Sequence, residues 1–277
     1  MIATVLGMPI STTHVLVGCL IGAGLMAAGS GVNFAALGRN FVFPLLLSLV
    51  VSILLTLILY VPSRAARKIF GIEKETCLCI GALQEPVDLQ PDGTGVLRST
   101  GVTVAVGEMS QCRTQYTGGI LGVSVQQALG SLHFLSAGAV SFARGLNDTP
   151  KIVALLVAAK LLGLRGWILV VAGAMAIGGL LSARRVAETM SHRITEMNEG
   201  QCFCANLATA LLVILASGLG LPVSTTHVSV GALFGIGVAN RTANLTQVLS
   251  ILAAWVTTLP LAGALSALLY LAVKRFA

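Results

Sequence analysis

Serine, threonine and histidine recur in one arrangement at two places along the chain. Near the start the order is Gly7-Met8-Pro9-Ile10-Ser11-Thr12-Thr13-His14. Near the end it is Gly220-Leu221-Pro222-Val223-Ser224-Thr225-Thr226-His227. Both copies stand in apolar surroundings, where hydroxyls and imidazoles are costly unless they find partners. Proline interrupts a helix that precedes it but suits a helix's first turn. The pattern therefore predicts a break followed by a helix start. There, free N–H groups, the positive end of the helix dipole and the hydroxyls of Ser11, Thr12 and Thr13, or of Ser224, Thr225 and Thr226, converge on an anion. His14 and His227 are supporting candidates. The plainer reading is helix capping plus hydrogen bonding between membrane helices, which Ser and Thr also perform. Duplication in corresponding positions favours the ligand.

A second constellation is Arg144-Gly145-Leu146-Asn147-Asp148-Thr149-Pro150-Lys151, set between two apolar stretches. Charges at membrane depth are expensive and usually functional. In a continuous helix Arg144, Asp148 and Lys151 would share a face. Gly145 and Pro150 instead predict a break or unwound turn. Arg144 and Lys151 can neutralise a bound anion while Asp148 holds a coupling ion or proton. The alternatives are an internal ion cluster that only fixes packing, or a short surface loop. A serine and a histidine three residues apart also raise an intramembrane hydrolase. That reading lacks an orienting acid and an oxyanion hole, and one catalytic centre does not need two nucleophiles. The chain is read as not an enzyme, without cofactor or metal.

The elements that would position these residues follow from composition. Of 277 residues, 56% are hydrophobic and 10% charged, against about 25% charged in ordinary soluble domains. Mean hydropathy is +0.92. Lipid is the solvent this implies. Residues 41–61, 167–183 and 246–273 are long enough to cross a bilayer core, which takes roughly 20 helical residues. Residues 10–32, 123–143 and 202–219 are further candidates. Alternation of the outer-membrane barrel kind does not recur, so helices remain. The net charge is +7, and its basic residues flank apolar spans at Arg64, Arg67, Lys68, at Arg184, Arg185 and at Lys274, Arg275. That placement fits cytoplasmic anchoring rather than nucleic acid. Inverted halves would put the first and last clusters on opposite sides, so orientation stays open. The pairs Cys77/Cys79 and Cys202/Cys204 are too closely spaced for the usual zinc ligand sets, and read as small apolar residues at a membrane boundary.

The two motif copies lie 213 residues apart, and their register continues through Gly18/Gly231, Gly22/Gly235 and Gly24/Gly237. Two large halves are implied, with a substrate site where they meet. Each half carries a glycine-rich helix (about 11–29 and 224–239), a polar turn (Asn33 to Asn40; Asn240 to Asn244) and a long apolar helix. The layout is residues 1–71 for the first membrane repeat, 72–117 for a polar extramembrane insert with one or two β-hairpins around Asp92-Gly93, and 118–277 for the second repeat. Residues 184–201 read as a short surface helix.

On these motifs the chain resembles the inorganic phosphate transporter (PiT) family, which pairs a Gly-x-Pro-x-Ser-Thr-Thr-His element with an Asn-Asp element in each half. Gly220 to His227 fits the second-half copy, Gly7 to His14 the first, and Gly145-Leu146-Asn147-Asp148 looks like the second-half acidic element. The resemblance implies an all-α, polytopic transmembrane bundle of two inverted repeats with broken or re-entrant helices, in the cell (inner) membrane, and is compatible with a homo-oligomer. It implies ion-coupled transport of inorganic phosphate, with Asn147, Asp148 and the Ser-Thr-Thr elements lining phosphate and cation sites. Two departures stand out. The first-half Asn-Asp element is not present before Gly7, so the sequence is expected to be a fragment or to start at an internal methionine, without a complete site. The family's Val-x-Asn after Asn-Asp is replaced by Thr149-Pro150-Lys151, which makes Na+ and H+ comparable as coupling ions. A sulfate or other tetrahedral-oxyanion permease, and a non-transporting membrane subunit, are the competing readings.

Overall fold

The computed structural model describes residues 7–72, 76–89, 95–108, 116–117, 123–158, 160–190, 194–195 and 197–276. Two compact units emerge, one from residues 1–61 with 136–277, the other from residues 62–135.

In the first unit, α1 (Thr12–Ala28) starts at the Ser11 cap and ends in a 3-10 turn at Gly29–Gly31. Asn33 then caps a new helical start, its side chain accepting from the Ala36 amide at 2.9 Å. Helix α2 (Phe34–Leu37) passes through a π-helical turn, Gly38–Val42, into α3 (Phe43–Ile69). The turn expected over residues 33–40 is thus one residue of cap followed by helix. Asn33 supplies the signal that the cluster of polar residues obscured.

Helix α4 (Val125–Val157) carries the Arg144–Lys151 constellation. It corrects the expected break: Gly145 and Pro150 lie inside one continuous helix. A proline in a helix interior costs about 3 kcal/mol in water. Here Asn147, Asp148 and Lys151, on the two turns around it, are tied to other segments, and these ties offset the lost amide hydrogen bond. Helix α5 (Leu164–Glu188) follows, and it accounts for the first part of the supposed surface helix at 184–201. Residues 189–190 continue from it in π-helical conformation, and a reciprocal Asn198–Gln201 capping box starts α6 (Glu199–Gly218). Helix α7 (Thr225–Asn240) ends at Arg241 in a left-handed conformation. Asn244 then caps α8 (Leu245–Phe276), accepting from the Gln247 amide at 3.1 Å.

Among the described residues, four stretches are long and apolar enough to cross a membrane: Phe34–Ile69, Leu164–Leu181, Glu199–Gly218 and Leu245–Phe276. Their outward faces are apolar, as at Leu169, Leu180, Leu181 and Leu269. Contiguous exposure of this kind would be an aggregation liability in water and is the ordinary condition in lipid. The polar residues sit inside instead, among them Ser11, Asn147, Asp148, Ser224 and His227.

Close helix packing depends on glycine. A Cβ on Gly18 would lie 2.4 Å from the Leu259 carbonyl oxygen, and one on Gly22 would lie 2.0 Å from that of Gly263, so α1 rides directly on α8. Gly231 and Gly235 do the same for α7 on α3, where a Cβ would meet the Leu49 oxygen at 2.8 Å and the Ile53 oxygen at 3.1 Å. Small residues let membrane helices approach in this way. Each contact also carries a serine bridge. Ser266 of α8 donates to the Cys19 carbonyl of α1 at 2.8 Å, and Ser52 of α3 donates to the Val228 carbonyl of α7 at 2.5 Å.

In the second unit, β1 (Thr76–Leu89) and β2 (Gly95–Glu108) pair antiparallel from Thr76↔Glu108 to Leu89↔Gly95. Short strands β3 (Tyr116–Thr117) and β4 (Val123–Ser124) also pair with β1. A hairpin was expected here. Its Asp92-Gly93 lies outside the described residues, as do the side chains of Cys77 and Cys79. Cys202 and Cys204 stand on α6, Cys204 buried in a cluster with Tyr60 and Ile236.

Candidate functional site

The two motif copies adopt the same local geometry. Gly7 and Gly220 both take positive φ, 68° and 67°, which glycine accepts without strain. Ser11 (φ −88°, ψ 117°) and Ser224 (φ −98°, ψ 117°) are extended N-caps, each accepting the amide three residues on, from His14 and from His227, at 3.3 Å. The helix starts then meet. The Ser11 hydroxyl donates to the Ser224 hydroxyl at 2.9 Å, in a fully buried contact.

Two helix N-termini facing each other bring two partial positive charges together, each about half an elementary charge. The first amides of each helix, at Thr12 and Thr13 and at Thr225 and Thr226, have no acceptor within their own helix. The polar face of α4 closes on this point. Arg144 reaches Thr225 Oγ1 with Nε at 3.3 Å and Thr226 Oγ1 with a terminal nitrogen at 3.5 Å. Asp148 accepts from Thr225 at 3.5 Å and from the Asn147 side-chain amide at 3.0 Å. Asn147 also donates to the Val223 carbonyl at 3.1 Å, and its own oxygen accepts from Ser217 at 3.4 Å. Lys151 donates to the Val223 carbonyl at 2.7 Å and to Thr13 at 3.3 Å, with Asp148 3.7 Å away. Thr226 closes the ring by donating to the Ile10 carbonyl at 3.2 Å. Two full positive charges and two helix ends thus face one carboxylate. A further anion is what such a charge distribution favours.

The histidines sit one turn deeper. His14 and His227 meet edge to face with ring centroids 4.8 Å apart. His227 stacks on Trp255 at 3.9 Å and contacts the Leu45 carbonyl through Nδ1 at 3.1 Å. The Trp255 indole donates to the Pro9 carbonyl at 2.7 Å. This layer forms the floor beneath the Ser11–Ser224 contact.

Most residues singled out in the sequence therefore converge: Ser11, Thr13, Ser224, Thr225 and Thr226 with Arg144, Asn147, Asp148 and Lys151, and His14 with His227. Thr12 does not join them. It is exposed, whereas its counterpart Thr225 is buried and bonded. Sequence reasoning missed Trp255, Ser217 and the carbonyls of Val223, Ile10 and Pro9. A tryptophan within an apolar span was a usable signal for the first. Backbone carbonyls leave none. Among the described residues there is no cluster of three or more His, Cys, Asp or Glu side chains arranged to hold a metal.

The model of the phosphate transporter family matches residues 1–266. A protein of Thermococcus kodakarensis named as a phosphate permease is 29% identical, over 97% of this chain and 74% of its own. A protein of Rhizobium meliloti named as a low-affinity inorganic phosphate transporter is 36% identical over 53% of this chain and 47% of its own. Among solved structures, a sodium-dependent phosphate transporter has the same fold, with a TM-score of 0.69 and 22% identity, over 100% of this chain and 76% of that one.

Proposed function

The chain belongs to the phosphate transporter family, and from that premise we propose that it carries inorganic phosphate across a cell membrane by ion-coupled secondary transport, with the anion held where α1 and α7 meet. The observation that carries this reading is the Ser11–Ser224 contact: two capped helix starts face to face, ringed by Arg144 and Lys151 against one carboxylate. Thr13, Ser224, Thr225 and Thr226 supply hydroxyls, the first-turn amides supply N–H donors, and Arg144 supplies a fixed charge. Asp148 distinguishes phosphate from sulfate. A protonated phosphate oxygen can donate to the carboxylate, and sulfate has no such hydrogen near neutral pH.

Residues 1–71 and 118–277 are read as two inverted repeats around a polar insert, in the cell (inner) membrane, with the chain assembling as a homo-oligomer. The reciprocal packing of α1 on α8 and of α7 on α3 supports the repeats. At 17 and 16 residues, α1 and α7 span about 26 Å and 24 Å. Each falls short of a core of about 30 Å, which suits helices that enter and stop part-way. The coupling ion is Na+ or H+; the name of the structural neighbour supports Na+.

Purified protein reconstituted into liposomes tests this. Labelled phosphate is expected to accumulate under an imposed Na+ or proton gradient, with sulfate a weak competitor. Absence of uptake under both gradients refutes the transport reading, and equal inhibition by the two oxyanions refutes the phosphate preference.

A further inference from the structure

We propose that the Lys151 ammonium is the resident cation of the Asp148 site, occupying a position that a free monovalent cation would otherwise take. Its surroundings are those of a cation rather than of an anion-gripping lysine. Nζ lies 2.7 Å from the Val223 carbonyl oxygen, 3.3 Å from the Thr13 hydroxyl and 3.7 Å from Asp148 Oδ1. These are a backbone carbonyl, a hydroxyl and a carboxylate, drawn from three different segments, and all three oxygens are of the kind that coordinate hard cations. An ammonium is a compact point charge with three N–H groups and no acceptor. Two of those N–H groups are engaged by the carbonyl and the hydroxyl, and the third side faces the carboxylate. None is left over for an anion.

Arg144 differs. Its guanidinium carries five N–H donors in a fork, and its contacts in the site are one to Thr225 and one to Thr226. The division of labour follows from the donor counts. Arg144 faces the anion, and Lys151 neutralises Asp148 and pins the α7 start to α1. Asp148 side-chain exposure is 5% against 23% for Lys151, so without the ammonium a carboxylate would stand buried and unpaired. Such a group recruits a cation from solution or loses its charge.

This inference deepens the transport reading, since a built-in cation means that one charge of the loaded site need not be collected from solution. Its test is independent of transport. The apparent melting temperature of the purified full chain is measured in choline chloride and in NaCl at equal ionic strength, for wild type, Lys151→Asn and Lys151→Gln. In wild type, any difference between the two salts is expected to be unchanged by Asp148→Asn, because a coupling Na+ would bind away from the Asp148 site. The variants are expected to melt lower in choline and to recover saturably with Na+, because a ligand that binds only the folded state stabilises it by mass action. Adding Asp148→Asn to either variant removes that recovery. The same Na+ response in wild type and variants overturns the proposal. So does a Na+-dependent rise in wild type that Asp148→Asn abolishes, an arm that needs neither lysine variant to fold. Phosphate uptake is scored separately: if wild type takes up none, the transport reading falls while the melting result stands on its own.

Discussion

Replacing Gly22 by alanine should damage both stability and phosphate uptake, although Gly22 lies three turns below Ser11. The new Cβ would stand 2.0 Å from the Gly263 carbonyl oxygen, with the Gly263 carbonyl carbon at 2.7 Å and its Cα at 2.8 Å. These neighbours are backbone, so no rotamer change relieves the clash. Side-chain carbons essentially never approach closer than 3.0 Å, so α1 and α8 must separate by about 1 Å. A gap of that size forfeits a quarter to a half of each dispersion contact along the seam. Overpacking of this kind costs about 1–3 kcal/mol. The upper half of that range applies here, because the obstruction is main chain. A loss of about 2 kcal/mol lowers the melting temperature of a chain this size by roughly 4–8 °C.

The control lies in the same helix. A Cβ on Gly24 would meet only Val32 Cγ2, at an ordinary 3.5 Å. Gly24→Ala should therefore be neutral, or stabilising by up to about 1 kcal/mol through helix propensity. The assay is thermal unfolding of the detergent-solubilised protein, with phosphate uptake by the same preparations in liposomes. A tilt of α1 pulls Ser11 from Ser224 and Thr13 from Lys151, so uptake by Gly22→Ala should fall with stability. Equal melting temperatures for Gly22→Ala and Gly24→Ala would refute the argument that α1 and α8 touch through their backbones.

Two further outcomes follow from the site. Thr225→Ala removes a hydroxyl that accepts from Arg144 and donates to Asp148, at about 1–3 kcal/mol for a buried partner left unpaired. Phosphate uptake should drop by roughly tenfold or more, whereas Thr12→Ala, at the exposed counterpart, should stay within about twofold. Equal losses in the two uptake assays would show that the site is symmetric. Trp255→Phe keeps a ring against His227 but strips the donor from the Pro9 carbonyl. The melting temperature should fall by the equivalent of about 1–3 kcal/mol, and a wild-type value would show that the floor beneath the helix starts does not depend on that bond.

The helix starts were legible in the sequence because their signals are local. Pro222 and the serine two residues later specify a break and a cap within one turn, and the first copy repeats both. The insert's hairpin was legible from alternation and turn residues. The α4 polar face was misread for the opposite reason. Gly145 and Pro150 state a local preference against helix, and the preference is overridden by contacts from Asn147 and Lys151 to Val223, a residue far along the chain. Asn33 reads as part of a turn because its capping role depends on the helix that follows it. The difference between Thr12 and Thr225 was invisible in principle. Both stand in the same Pro-x-Ser-Thr-Thr-His-Val run, and the packing of α4 against one of them separates the two.

That asymmetry bears on how the site and the fold depend on each other. Helix α1, from the first half of the sequence, is seated on α8 from the second, and α7, from the second half, is seated on α3 from the first. Each motif helix is thus seated on a long helix of the other half, while α4 and Trp255 of the second half also hold the second copy. If the exchange failed, Ser11 and Ser224 would each be left as a buried hydroxyl without its partner, and Lys151 would lose the Thr13 hydroxyl. Every one of these groups is polar and lies within an apolar surround, where an unpaired member costs about 1–3 kcal/mol against about 0.5–1.5 kcal/mol contributed by a paired one. The glycine seams that bring the helices together are thus also what keeps the polar ring satisfied. Two positive helix ends, Arg144 and Lys151 would repel one another there with only Asp148 to balance them. On the proposed function, an anion placed among them would remove that repulsion and stabilise the folded arrangement by mass action.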